Sequence, residues 1–292
     1  MPEWLNELVW VPFAEYSFMR RALAGCLALS LSAAPMGVFL MLRRMSLAAD
    51  AMSHAILPGA GLAYVFFGLS LSAMTVGGVL AGLIVVLAAG TVARGANTYA
   101  DASLAAFYLI SLALGVLLIS LRGNSIDLLH VLFGSVLALD DVALALVGGI
   151  AGATVLCLAV GYRALVLDSV DAEFLRGVSR AGPLVHHAYM VLLVFNLVAA
   201  FHALGTLMAI GIMVLPAASV RFWTQHLPRL IALAAAAAMA GSVCGLLCSY
   251  HLGVPAGPAI VLALGLIYVG SLLAGPYGLL RPHRVGGWYF QS

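Results

Sequence analysis

Lysine is missing from this chain, and all 13 of its cationic side chains are arginine. A Walker A phosphate loop needs a lysine, so the chain is not itself a conventional ATPase. Schiff-base chemistry is excluded for the same reason. Charge of either sign is scarce: Asp, Glu, Lys and Arg make up 8% of the 292 residues, against about 25% in an ordinary soluble domain. Cysteine is scarce too. Cys26, Cys157, Cys244 and Cys248 all lie in apolar runs and none forms a C-x-x-C pair. They read as small packing residues with no disulfide framework. Cys244 and Cys248 share a helix face, where packing is preferred over a thiolate metal site. No soluble domain or linker is present, and no internal repeat marks an inverted-repeat transporter.

What is abundant is apolar surface, with 64% of residues hydrophobic. No soluble core hides that much. Barrel strands alternate apolar and polar residues over about 10 positions, whereas the runs here are continuous and of helix-spanning length. The fold class is therefore all-α, a polytopic membrane bundle. Nine runs can span: 20–42, 46–68, 71–93, 102–121, 140–162, 183–203, 205–220, 229–250 and 255–275. The run 205–220 is short and carries Pro216, so the count is eight or nine. The segment 126–138, with Asp127 and His130, reads as a re-entrant or surface helix. Three regions follow: an amphipathic N-terminal segment over 1–19, a transmembrane domain over 20–282, and a tail over 283–292. No cleavable signal peptide is read at the N-terminus. Tyr289 to Ser292 resemble part of a tag-cleavage scar and carry no functional argument.

Arginine placement sets the orientation. With the N-terminus outside and nine spans, Arg43, Arg44, Arg94, Arg163, Arg176, Arg180, Arg221, Arg229, Arg281 and Arg284 are cytoplasmic, as is the C-terminus. Arg20, Arg21 and Arg122 stay outside. The 163–182 loop is then cytoplasmic. Asp171 can cap a short helix there that Gly177 terminates, and the loop is either a solvated connector or a docking helix for a cytoplasmic partner. The glycines inside the runs, Gly77, Gly78, Gly82, Gly148, Gly149, Gly152, Gly241 and Gly245, read as close helix packing.

The stretch that carries chemistry runs from Arg43 to Gly59. Asp50 and His54 are four residues apart, so on a helix they share a face. An Asp at the centre of a membrane helix costs about 2.5–3.5 kcal/mol. Two readings offset that cost. In the structural one, Asp50 sits in the favourable first turn of its helix and His54 bonds a neighbouring carbonyl. In the functional one the pair ligates a divalent transition metal, and Pro58, which frees the carbonyl of His54, bends the helix beside a cavity. Two ligands do not complete a site, since zinc takes about four and manganese about six. Two copies of the chain around a two-fold axis supply two Asp and two His. Ligation needs a neutral imidazole. The remaining groups carry less. Asp101 reads as a helix-start charge, and Asp140-Asp141 as an outer helix start near which a delivery protein can dock. His130, His202 and His251 read as interfacial, and His186, His187 and His226 as cytoplasmic.

These residues resemble a known family. The run from Arg43-Arg44-Met45-Ser46 to Gly59 is similar to the signature of the metal-uptake ABC permeases, the zinc, manganese and iron importers fed by cluster 9-type binding proteins. Leu132-Phe133-Gly134-Ser135 with Asp141, Asp171 to Gly177, Leu215-Pro216-Ala217-Ala218 and Pro255 to Leu262 follow in the family's order, and the resemblance covers about residues 20–275. Ala49 stands where a glycine is common, and His130 replaces an aromatic or small residue. The resemblance implies a type II ABC importer fold similar to the vitamin B12 permease, in the bacterial inner membrane. It implies two permease copies or a related pair, cytoplasmic ABC ATPase subunits and an extracytoplasmic metal-binding protein. Asp50 and His54 are then the metal-path residues, and the loop with Asp171, Glu173 and Gly177 couples to the ATPase. The form Ser53 to Gly59 leans toward the manganese and iron members.

The expected function is transport of a divalent metal ion, with no permanently bound cofactor, no catalysis in this chain and no nucleic-acid partner. An ion-coupled secondary transporter is the alternative. An intramembrane hydrolase using Ser53 or Ser46 with His54 is disfavoured, because adjacent residues on a helix point about 100° apart and no G-x-S-x-G or H-E-x-x-H motif occurs.

Overall fold

The computed structural model describes residues 6–68, 70–95, 100–120, 139–171, 174 and 182–280. Among them every regular element is helical. A wide turn over Asn6–Trp10 leads into α1 (Val11–Glu15), α2 (Ser17–Leu42), α3 (Ser46–Ala55), α4 (Leu57–Phe67), α5 (Leu71–Gly95) and α6 (Ala100–Ser120). Then come α7 (Asp141–Val170), α8 (Gly182–Leu204), α9 (Thr206–Val220), α10 (Leu227–Leu252) and α11 (Ala256–Ala274). Six helices are long and apolar enough to cross a membrane, and Ala105–Leu118 and Leu207–Val220 are shorter apolar helices. The segment 126–138 and the tail 283–292 lie outside the described residues.

The helices are apolar on all sides, yet the outer ones bury only a stripe. On α7 the buried positions are Ala143, Val147, Ala151, Thr154, Leu158, Leu165 and Asp168. They recur at helical spacing, while Val142, Leu156 and Val160 face outward. A helix with that pattern has protein on one side and hydrocarbon on the other. Helix α2 is the most enclosed and lies at the centre, packed on α7, α9 and α10. Helices α3 to α6 form a neighbouring group, joined to the rest through α8 and α9.

Several polar side chains inside the bundle are satisfied locally, while Asn196 Oδ1 and Ser242 Oγ are buried without a partner among the described residues. Ser30 donates to the Cys26 carbonyl at 2.7 Å and Ser219 to the Leu215 carbonyl at 2.7 Å, each within its own helix. Other side-chain bonds cross helices: the Asn196 amide on α8 donates to Thr154 Oγ1 on α7 at 2.6 Å, as the Tyr189 hydroxyl on α8 does to the Met36 carbonyl on α2 at 2.8 Å. Asn196 and Thr154 are fully buried, and such bonds hold membrane helices together.

Two sequence expectations change. The run 140–162 does not stop at Arg163. Helix α7 continues to Val170, because no glycine or proline lies between Arg163 and Val170 and Asp168 is neutralised by a buried partner rather than solvated. The expected 163–182 loop therefore starts near Asp171. The run 46–68 is not one helix but two. Pro58 is the second residue of α4 and has no N–H to give to His54, so the Ile56 N–H turns to the His54 carbonyl and the helix breaks there.

Glycine marks the closest approaches, but not everywhere the sequence led us to expect. A Cβ at Gly37 would run into the Met213 carbonyl oxygen on α9, whereas one at Gly148, Gly149 or Gly152 would meet nothing within 4 Å. These last three lie on an open face of α7 instead of a packed one. Gly37→Ala should therefore lower the thermal midpoint of the purified protein by about 5 °C. Gly149→Ala should leave it unchanged or raise it, since alanine favours a helix by about 1 kcal/mol. Thermal unfolding in detergent followed by circular dichroism checks both.

Candidate functional site

The site is built on α3. Three residues, Arg43 to Met45, turn the chain from α2 into α3. Arg44 takes a left-handed backbone conformation with φ 57°, and the Met45 N–H returns to the Leu40 carbonyl at 2.9 Å. From Ser46 the chain is helical, so Asp50 and His54 fall one above the other. Their Oδ1 and Nε2 atoms are 3.6 Å apart, with the side chains 48% and 23% exposed. That separation is longer than a hydrogen bond. It is close to the distance of about 3.4 Å between two ligands on a tetrahedral ion with bonds near 2.1 Å. The pair thus brackets a space of ion size.

Three neighbours fix the imidazole. The Tyr108 ring on α6 stacks on it, with centroids 6.2 Å apart and planes 29° from parallel. The helix break after Ala55 ends α3 one residue beyond it. Behind it, α4 lies tightly against α5: a Cβ at Gly59 would strike the Gly77 carbonyl oxygen, and one at Gly77 would strike that of Gly59. Glycine at both positions lets the two backbones meet and sets where α3 ends. The His54 Nδ1 is buried without a hydrogen-bond partner, a state that costs about 1–3 kcal/mol. Ser53 is buried and its hydroxyl donates to the Asp50 carbonyl at 2.8 Å. It is committed to its own helix, which is poor geometry for a nucleophile. Among the described residues no group of three or more His, Cys, Asp and Glu gathers around an ion-sized space, so Asp50 and His54 have no third side chain of these types beside them.

The other candidates are spread along the bundle. At one end, Asp140 caps α7 by accepting from the Ala143 N–H at 2.7 Å, and Asp141 pairs with Arg21 at 3.4 Å. His251 Nε2–H donates to the Leu8 carbonyl at 2.9 Å. At the opposite end, the Asp171 carboxylate accepts from the Phe174 N–H at 2.8 Å, which is N-cap geometry. Glu173, Gly177 and His130 lie outside the described residues. Cys26 is buried, and Cys157, Cys244 and Cys248 are exposed as free thiols.

Two features had no signal in the sequence. Tyr108 is one aromatic residue in an apolar run. Asp168 read as part of a solvated connector, yet it forms a 2.8 Å ion pair with Arg43, the two side chains being 6% and 5% exposed. Burial pulls the Arg43 guanidinium below its ordinary pKa, and the Asp168 charge opposes the shift.

Relatives share this architecture. The manganese import system permease protein ScaB of Streptococcus gordonii is 31% identical over 263 residues, covering 90% of this chain and 93% of its own. The chelated iron transport system membrane protein YfeD of Yersinia pestis is 27% identical, covering 95% and 91%. The solved structure of PsaBC from Streptococcus pneumoniae in complex with Fab superposes with a TM-score of 0.81 at 29% identity, over 91% of this chain and 94% of that one. The profile of the ABC 3 transport family matches residues 15–275, nearly the whole stretch that the ordered motifs span, and the chain belongs to that family.

Proposed function

We propose that this chain is the membrane permease subunit of an ATP-driven importer for a divalent transition metal, manganese or iron before zinc. The observation that carries the reading is the Asp50–His54 pair, set around an ion-sized gap where a membrane helix is broken. The relatives named for manganese and chelated iron transport support it. A carboxylate and an imidazole supply one hard and one borderline ligand. Two ligands from one chain bind weakly, and two chains around an axis double them. A permeation site needs that balance: firm enough to admit the ion, loose enough to release it.

In this reading a binding protein delivers the ion to the outer rim near Asp140 and Asp141. The ion passes Asp50 and His54 between two copies of the chain, and ATP hydrolysis in separate cytoplasmic subunits switches access. Those subunits dock on the segment that Asp171 opens, with Glu173 and Gly177 in it. The chain crosses the inner membrane eight or nine times, with its C-terminus in the cytoplasm, and the arginine distribution supports that orientation.

Asp50→Ala should lower manganese uptake at least about tenfold while the complex still assembles on size-exclusion chromatography. Uptake at the wild-type rate would refute the assignment. Vesicles without ATP separate the secondary-transporter alternative, because uptake by this chain alone would establish it. Gly177→Arg should leave ATP hydrolysis running without uptake, measured on the purified complex in proteoliposomes; a variant that still couples the two places docking elsewhere.

A further inference from the structure

The Arg43 side chain bridges α7 and α8. Its Nη2 meets Asp168 Oδ2 at 2.8 Å, and its Nε donates to Ser169 Oγ at 3.2 Å; both partners are in the last turn of α7. Its Nη1 donates to His186 Nδ1 on α8 at 3.5 Å. The guanidinium lies over the Tyr189 ring, also on α8, 4.2 Å from the centroid. The Tyr189 hydroxyl in turn donates to the Met36 carbonyl on α2 at 2.8 Å. Arg43 itself belongs to the link that starts α3. The partners before it and after it in this network flank one stretch of chain, the segment from Asp171 to Gly182, from both sides.

We propose that the Arg43–Asp168 pair is the mechanical coupling between that segment and the metal helix. The inference rests on the proposed function, in which the segment takes the ATPase and α3 carries the ion. Helix α3 packs on α5, α6, α8 and α9 but has little packing of its own against α7, so Arg43 is the polar tie from α7 to the start of α3, beside the apolar packing that passes through α8 and α2. The link is short and set: Arg44 is in a left-handed conformation that few residues adopt, and Asp50 follows two turns further on. A buried ion pair with a hydrogen bond to the next residue ties Arg43 to the end of α7 at two adjacent points, whereas apolar side chains slide past one another. Burial of both charges is otherwise a poor way to gain stability, because well-packed apolar residues of similar volume do as well or better. That contrast supplies the test.

The double variant Arg43→Met with Asp168→Leu removes the ion pair and leaves apolar side chains at both positions. It is made in the whole complex with its ATPase subunits and reconstituted in proteoliposomes, and manganese uptake and ATP hydrolysis are measured together. The expected result is an assembled complex with unimpaired thermal stability and continuing hydrolysis, while uptake per ATP falls at least about tenfold. Asp168→Glu, which preserves the pair, should retain most of that ratio. Uptake per ATP at the wild-type level in the double variant would overturn the proposal, as would a fall in uptake and hydrolysis in equal proportion alongside lost thermal stability. If the double variant does not assemble, Asp168→Asn decides by the same ratio. Asp50→Ala in the same vesicles keeps the two ideas apart. If it abolishes uptake while the double variant transports normally, only the coupling role fails; if it transports normally, the metal path itself is misassigned.

Discussion

Hydrocarbon offers no hydrogen bonds, and the rest of this molecule follows from that constraint. A polar atom in the bundle must find its partner within the protein or stay costly. Serine and threonine hydroxyls therefore return to their own helix carbonyls, and Asn196 reaches across to Thr154. The same pressure drives Asp168 onto Arg43. His54 Nδ1, Asn196 Oδ1 and Ser242 Oγ are buried without a hydrogen-bond partner among the described residues, and at His54 the unpartnered atom belongs to a ring that also faces a carboxylate.

The broken helix shows how packing and chemistry are tied. Pro58 denies His54 its hydrogen bond, and the Gly59–Gly77 approach fixes α4 against α5. The position at which α3 ends is therefore set by steric contact, and the ligand pair inherits that position. Tyr108 then settles the plane of the imidazole from a third helix. The site is thus defined by α3, α4 and α6 together, although both candidate ligands come from ten residues of sequence.

Much of this was legible without coordinates, for reasons that differ by residue. Apolar runs long enough to span announce themselves by composition, and nearly all of those expected appear as helices. The i,i+4 pair Asp50–His54 is local, so its shared face could be read from spacing alone. Errors arose where a distant partner decides the outcome. Arg163 and Asp168 looked like the start of an aqueous loop, but the partner of Asp168 is 125 positions away in the chain. Gly148, Gly149 and Gly152 looked like a packing face, yet only the tertiary arrangement shows that none of the described helices of the same chain lies against them. Tyr108 was invisible because a single aromatic in an apolar run has no pattern.

The break between α3 and α4 also has an electrical meaning. Helix α3 has 10 residues and α4 has 11, so each rises only about 15–17 Å, roughly half the hydrocarbon thickness. In the proposed role the two halves cross as one unit, with the break near mid-depth and His54 beside it. A divalent ion on the proposed path then stands about halfway down the membrane potential. Moving one charge through 100 mV is worth about 2.3 kcal/mol, so two charges moved through half of it gain about the same amount. In a cell that is negative inside, the resting field itself would raise the occupancy of this site from the outer face and oppose loss of the ion back to that side.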